Sequence, residues 1–252
     1  KKSSAKSKQK NALIDELFEY VTVIIGETNG ITLADTLDLM HSYHSKNVHP
    51  NIVQAITEFR QCLADFQINN IDIETLLAHP FSKALYRFFQ TFPLRYNDNH
   101  IHLTGSLAPE FVYPRLQKLL SGKNGILLSQ KIEEVYGSGS AKIKTLKDVE
   151  SLLCMKKDED FYCYLKKLFV GKLLLGTRKA HAEAAYSMAH EVYSKYNIGS
   201  IHLKFTLSRA NATQETSEYI PGMEHLTPED VILGLYDGFS AFQKKYPDFH
   251  FI

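Results

Sequence analysis

Only 3 cysteines occur in 252 residues. Cys62, Cys154 and Cys163 cannot all pair, and none forms a C-x-x-C, which argues against a disulfide framework and for a reduced, intracellular chain. Charge of one sign is also missing. Lys+Arg 29 against Asp+Glu 28 leaves a net +1, so no global field draws the chain to nucleic acid or to an anionic membrane. No apolar run approaches the ~18–20 residues that span a bilayer, so no membrane partner is expected and a cytoplasmic setting is. The opening "KKSSAKSKQKNALIDELFEY" is basic but leads into an acidic amphipathic stretch, unlike a signal-peptide core, and with no initiator Met it reads as a trimmed chain.

What is present is a soluble-type composition, 44% hydrophobic and 23% charged, able to bury a sizeable core. Residues 1–10 read as a basic disordered tail. Residues 11–92 read as a helical region. Asn11 is placed to cap a helix with Leu13, Ile14, Leu17, Phe18 and Val21 on one face, and Thr32 another with Leu33, Leu37 and Met40. "HPNIVQAITEFRQCLADF" and "HPFSKALYRFFQTFP" continue the pattern. His41 and His44 share a helical face, but no carboxylate or thiolate joins them at ligand spacing, so they read as surface or packed histidines.

After Pro93 the texture changes. "YNDNHIHLTG" alternates and stops at glycine, as a strand does. Helical segments follow at "PEFVYPRLQKLL", "TLKDVESLLCM" and "DEDFYCYLKKLFVGKLLL", with a Gly/Ser gap at 137–140. The long helix "TRKAHAEAAYSMAHEVYSKYNIG" sets Ala182, Ala185, Tyr186, Ala189, Val192, Tyr193 and Tyr196 on one face, with Gly199 as its stop. A strand "SIHLKFTLS", a helix opening at Thr227-Pro228 with acids in its first turn, and a last strand "FHFI" complete the chain. Strands are expected near 98–104, 200–207 and 249–252. Strand, helices, strand, helix, strand is the rhythm of a parallel α/β domain.

Within the first of these strands, Asp98, His100 and His102 fall on one face because side chains alternate. Chance supplies roughly half an H-x-H pair in such a chain, so the pair is weak by itself. Its place is the stronger signal. It ends at Gly105, at the C-terminal end of a strand, where parallel barrels carry their chemistry. Two imidazoles on one face can converge on a metal at ~2.0–2.1 Å. Asp98 is expected as a partner for a histidine ring N–H. The bland alternative is two histidines on the wet face of an edge strand.

"HIHLTGSLAPE" resembles the first metal-binding motif of the adenosine deaminase family, H-x-H-L-D-G-S before a proline-started helix. The likeness runs on through "DFYCYLKKLFVGKLLLGTRKAHAEAAYSMAHEVYSKYNIGSIHLKFTLS" and "LGLYDGFSAFQKKYPDFHFI", from about His100 to Ile252. It implies a fold in which residues 93–252 form the first part of a TIM-type (β/α)8 barrel, after the all-helical N-terminal region. It also implies zinc, with His100 and His102 as two of its ligands, and hydrolytic conversion of an adenine to the inosine form with release of ammonia. The family's third histidine, its aspartate ligand and its catalytic glutamate and histidine lie on later strands, so they are expected beyond Ile252. The cytidine-deaminase signature of H-x-E and P-C-x-x-C is absent.

Thr104 stands where the nucleoside enzymes carry an aspartate for the ribose 5′-hydroxyl. A carboxylate repels a 5′-phosphate, whereas a threonine hydroxyl can donate to it. Thr104 is therefore a candidate substrate-binding residue, and the expected substrates are adenine nucleotides or adenosine in RNA. A turn-forming role for Thr104 is the alternative. The extended helical region, "NDNHIHLTGSLAPEFVYPRL" and "IPGMEHLTPEDVILGLYDGF" also resemble the deaminase subunits of bacterial RADAR antiphage systems. That likeness implies a large homo-oligomer and a partner ATPase. Two other readings stand beside it: another metal-dependent hydrolase of the same barrel superfamily, and a non-catalytic barrel used as a scaffold.

Overall fold

A computed structural model of the chain describes residues 2–27, 48–156, 158–205, 207, 220, 223 and 225–252. Thr32, Leu33, Leu37, Met40, His41 and His44 lie outside the described residues. The chain divides into two compact units, Lys1–Pro93 and Leu94–Ile252.

The first unit comprises α1 (Lys2–Glu27), α2 (Pro50–Gln67), α3 (Ile73–Ala78) and α4 (Pro80–Thr91). Leu17, Val21 and Ile24 of α1 pack with Ile52, Ile56 and Phe59 of α2 and Phe81, Leu85 and Phe88 of α4. The segment before Asn11, expected as a disordered tail, is instead the first part of α1, and Asn11 caps nothing. Its Ala, Lys and Gln residues are good helix formers, and no glycine or proline interrupts the run before Gly26. Two His-Pro pairs start helices here. His49 and His79 accept on Nδ1 from the N–H groups of Asn51 (3.4 Å) and Phe81 (3.1 Å), and the following proline needs no partner for a missing N–H.

The second unit runs β1 (Tyr96–His102), a 3-10 turn (Leu103–Gly105), α5 (Pro109–Leu120), α6 (Gly125–Tyr136), α7 (Leu146–Leu153), α8 (Phe161–Leu173), α9 (Arg178–Lys195), β2 (Ile198–Lys204), α10 (Pro228–Lys245) and β3 (His250–Phe251). All three strands are parallel and neighbours in chain order, β1-β2-β3. This is an α/β arrangement. β1 and β2 begin two residues earlier than the alternation suggests, β3 begins one residue later, and β1 stops at His102 because Leu103–Gly105 turn into 3-10 geometry. Helix α6 was not legible as a separate element.

Helices cover one face of the sheet. Ile101, Leu103 and Ile201 join Ala184, Ala185, Met188 and Ala189 of α9 and Val231, Leu235, Phe239 and Phe242 of α10 in one core. Helices α9 and α10 approach backbone to backbone. A Cβ on Gly238 would stand 2.2 Å from the Ala182 carbonyl oxygen, and one on Gly234 would stand 2.5 Å from that of Arg178. Thr145 and Thr227 each open a helix with a reciprocal capping box, to Asp148 and Asp230.

Helix α9 ends otherwise than expected. Asn197, not Gly199, takes the left-handed conformation (φ 56°) after it. Gly199 lies inside β2, where a Cβ would sit 2.8 Å from Arg95 Cβ. Tyr196, expected on the buried face, is exposed. Arg95 gathers this end of the sheet. It donates to Asp248 (2.9 Å), the Tyr193 carbonyl (3.1 Å) and Asn197 Oδ1 (3.2 Å), with its guanidinium 3.4 Å from the Tyr193 ring centre.

Gly238→Ala is expected to destabilise the protein by about 1–3 kcal/mol, read as a lower urea midpoint. Alanine's helix preference returns ~1 kcal/mol, but the neighbouring atom is backbone and cannot rotate away. His181 gives a pH dependence. It is 2% exposed with Nδ1 3.0 Å from the Thr177 carbonyl, and burial pushes its pKa below the ordinary value. As pH falls through ~6.5 the unfolded chain takes up the proton first, so this contribution to stability is present above that pH and is lost below it. The urea midpoint of the wild type should therefore drop more steeply on acidification than that of His181→Gln.

Candidate functional site

His100 and His102 flank Ile101, which points into the core while both histidines are exposed. Alternation thus puts the pair on the sheet face away from the helices. Their Nε2 atoms lie 3.0 Å apart and their ring centres 4.9 Å apart. Two imidazole lone pairs held at this distance repel unless they share a cation or one ring donates a proton to the other. Two nitrogens each ~2.0–2.1 Å from one ion would be separated by about 2.9 Å at a right angle and about 3.3 Å at the tetrahedral angle. The observed spacing falls in that range.

A bulge sets the pair. Pairing passes from Asp98↔Ile201 to Ile101↔Leu203, so β1 spends one extra residue between them. The Asp98 carboxylate occupies this bulge, accepting from the His100 backbone N–H at 3.0 Å. It was expected on a histidine ring; the structure places it on the backbone, where it fixes the strand that carries the ring.

Thr104 sits in the 3-10 turn, so the strand rule that would align it with the histidines ends at His102. Its main chain rests on α8. A Cβ on Gly171 would come within 2.7 Å of the Thr104 carbonyl oxygen and 3.2 Å of its Cβ. Gly171 is therefore what lets α8 support the turn after the metal-type motif. Next to it, a Cβ on Gly105 would stand 3.9 Å from both His102 Cβ and the Tyr164 hydroxyl. Gly171 and Tyr164 carried no signal in the sequence.

Alternation places further polar residues on the open face. In β2, Gly199 and Ile201 are buried, so alternation turns Ser200, His202 and Lys204 the other way. Lys204 is paired with His102. In β3, Phe251 packs on Phe239 with ring centres 5.1 Å apart, leaving exposed His250 on the open face beside its register partner Ser200. The open face thus carries several imidazoles, and its C-terminal end sets His102 beside the Lys204 ammonium, the position where parallel sheets bind ligands.

Among the described residues, no group of three or more His, Cys, Asp or Glu side chains is placed to hold a metal. The pair therefore fits zinc in ligand type and spacing but supplies two protein donors where a catalytic zinc takes three. No helix among the described residues is long and apolar enough to cross a membrane. No family model matches the chain, and no match was found among curated proteins or solved structures.

Gly171→Ala is expected to disturb the site from behind. The new methyl forces α8 or the turn to move, so thermal stability should fall by several degrees, a loss of about 1–3 kcal/mol. Lys172→Ala, which brings no methyl to that turn, should leave the melting temperature nearly unchanged.

Proposed function

We propose that this chain is part of a zinc-dependent deaminase acting on adenine nucleotides or on adenosine in RNA. The observation that carries the reading is the 3.0 Å approach of His100 Nε2 to His102 Nε2 at the C-terminal end of a parallel strand. The resemblance of "HIHLTGSLAPE" to the first motif of the adenosine deaminase family gives that geometry its chemical sense. In this reading the sheet is the beginning of a (β/α)8 barrel, and the remaining ligands and the acid/base groups come from residues outside the sequence given.

Zinc, when bound, supplies Lewis-acid activation of a water at neutral pH. The chain's own residues position what surrounds it. His100 and His102 would hold the ion, each through one ring nitrogen. Asp98 locks the bulge between them, and Gly171 lets α8 brace the following turn. Thr104 offers a neutral hydroxyl where a carboxylate would repel a phosphate, and Lys204 adds a cation on the same face. The helical unit before Leu94 serves assembly into a homo-oligomer, a partner ATPase acts with it, and the setting is antiphage defence in the cytoplasm.

The direct test is ammonia release and inosine-product formation from ATP, AMP, adenosine and a short adenosine-containing RNA, with the full-length protein. His102→Ala should abolish turnover and lower bound zinc while the helical content is retained. Normal metal content and turnover in that variant would overturn the reading. Asp98→Ala should be milder, about 10–100-fold, since it acts through the strand.

Thr104→Asp should penalise ATP and AMP more than adenosine. Two unit charges ~4 Å apart interact by ~4 kcal/mol at an effective dielectric near 20, an upper figure that water and ions reduce. Even ~1.4 kcal/mol is tenfold in relative kcat/KM. Equal losses on all substrates would instead make Thr104 a turn residue, as its packing on Gly171 favours.

A further inference from the structure

A second concave site lies away from the histidine pair, on the helical side of the same unit. It is a cavity of about 390 Å³ whose lining includes Lys142, Lys156, Lys166 and Lys167 with Asp148 and Glu159. Its size is that of a small-molecule site.

The charges do not balance. Lys167 is 7% exposed and is already satisfied, by Glu159 at 3.0 Å and by the Ser151 carbonyl at 3.3 Å. Glu159 also accepts the Lys156 backbone N–H at 2.7 Å. Asp148 is held in the capping box by the N–H groups of Lys144 and Thr145, at 2.9 and 2.8 Å. Those bonds keep both carboxyls below their ordinary pKa values, so each stays charged and turned to its own partners. Lys142, Lys156 and Lys166 have no carboxylate within ion-pair distance among the described residues. Tyr136 adds no negative charge, since burial pushes its phenol up to about 12. Four cations against two anions leave the lining at +2.

The walls are also fixed beforehand. The Tyr136 hydroxyl donates to the Lys166 carbonyl (2.6 Å) and accepts from the Val170 N–H (3.3 Å), tying α6 to α8. Gly139 sits at φ +83°, where side chains are strained, and its N–H bonds Glu133 Oε1 at 3.0 Å. The Gly/Ser stretch is thus a shaped wall that brings Lys142 to the cavity.

We propose that this cavity binds a small polyphosphorylated molecule, its phosphates held by Lys142, Lys156 and Lys166 around the fixed Lys167–Glu159 pair. Several ammonium groups on separate elements suit an anion with several charges, since each lysine acts as a point charge and not as a planar fork. A volume of about 390 Å³ suits a small molecule. The inference does not rest on the deaminase reading, because no residue of the sheet lines this cavity.

The test is calorimetric titration of the full-length protein with inorganic pyrophosphate and tripolyphosphate. One site per chain is expected, weakened by added salt. The combined variant Lys142→Gln, Lys156→Gln and Lys166→Gln should bind about tenfold or more weakly, while the corresponding three Lys→Arg changes retain binding. All three lysines are exposed, so circular dichroism and the melting temperature should be unchanged. His102→Ala should bind as the wild type does, which separates this site from the histidine pair. The proposal is overturned if millimolar tripolyphosphate does not bind, if the triple Gln variant binds normally, or if His102→Ala abolishes binding. Lysine-dependent binding of RNA far tighter than that of tripolyphosphate would make the surface a nucleic-acid contact and also overturn it.

Discussion

Arg95 touches the start of every strand. From the residue before β1 it reaches Asn197 before β2 and Asp248 before β3, and it lies flat on Tyr193 near the end of α9. The Tyr193 hydroxyl closes the ring by donating to both Asp248 oxygens, at 2.8 and 3.0 Å, and with Arg95 it holds that carboxyl below its usual pKa range. One planar cation thereby fixes where three parallel strands begin. Because parallel strands then run together, their C-terminal ends are set as well, and with them His102 beside Lys204.

Close backbone approach does the rest. Helices α9 and α10 meet through Gly234 and Gly238, and α8 meets the turn after β1 through Gly171. Dispersion falls steeply with distance, so removing one Cβ at such a crossing strengthens contact along the neighbouring turns. The helix layer is thus drawn onto one face of the sheet, and the opposite face keeps its polar side chains. The lysine-lined cavity arises in the same layer, where α6, α7 and α8 leave a gap that polar groups border.

Legibility followed locality. Helices with strong periodicity and a proline in the first turn are legible nearly to their ends, as Thr227-Pro228 and "PEFVYPRLQKLL" show. The stop of α9 was misplaced because glycine is the usual left-handed residue, while here Asn197 takes that role and Gly199 is needed for clearance from Arg95. The charge of the basic start suggests disorder, yet its residues also favour helix and no glycine or proline breaks the run before Gly26. His202, Lys204 and His250 follow from alternation alone, given the buried Ile201 and the core-packed Phe251 beside them.

The sequence by itself determined which side chains could share a face: His100 and His102 sit two apart across a buried isoleucine, and strand geometry does the rest. It also pointed to the parallel order of the strands, because β1 and β2 are each followed by helix long enough to cross back before the next strand. Only the tertiary structure decided the bulge that turns Asp98 to the backbone, the 3-10 turn that takes Thr104 off the strand, and the lysines brought to one cavity. Each of these depends on atoms far apart in the chain, and period and spacing describe only neighbours.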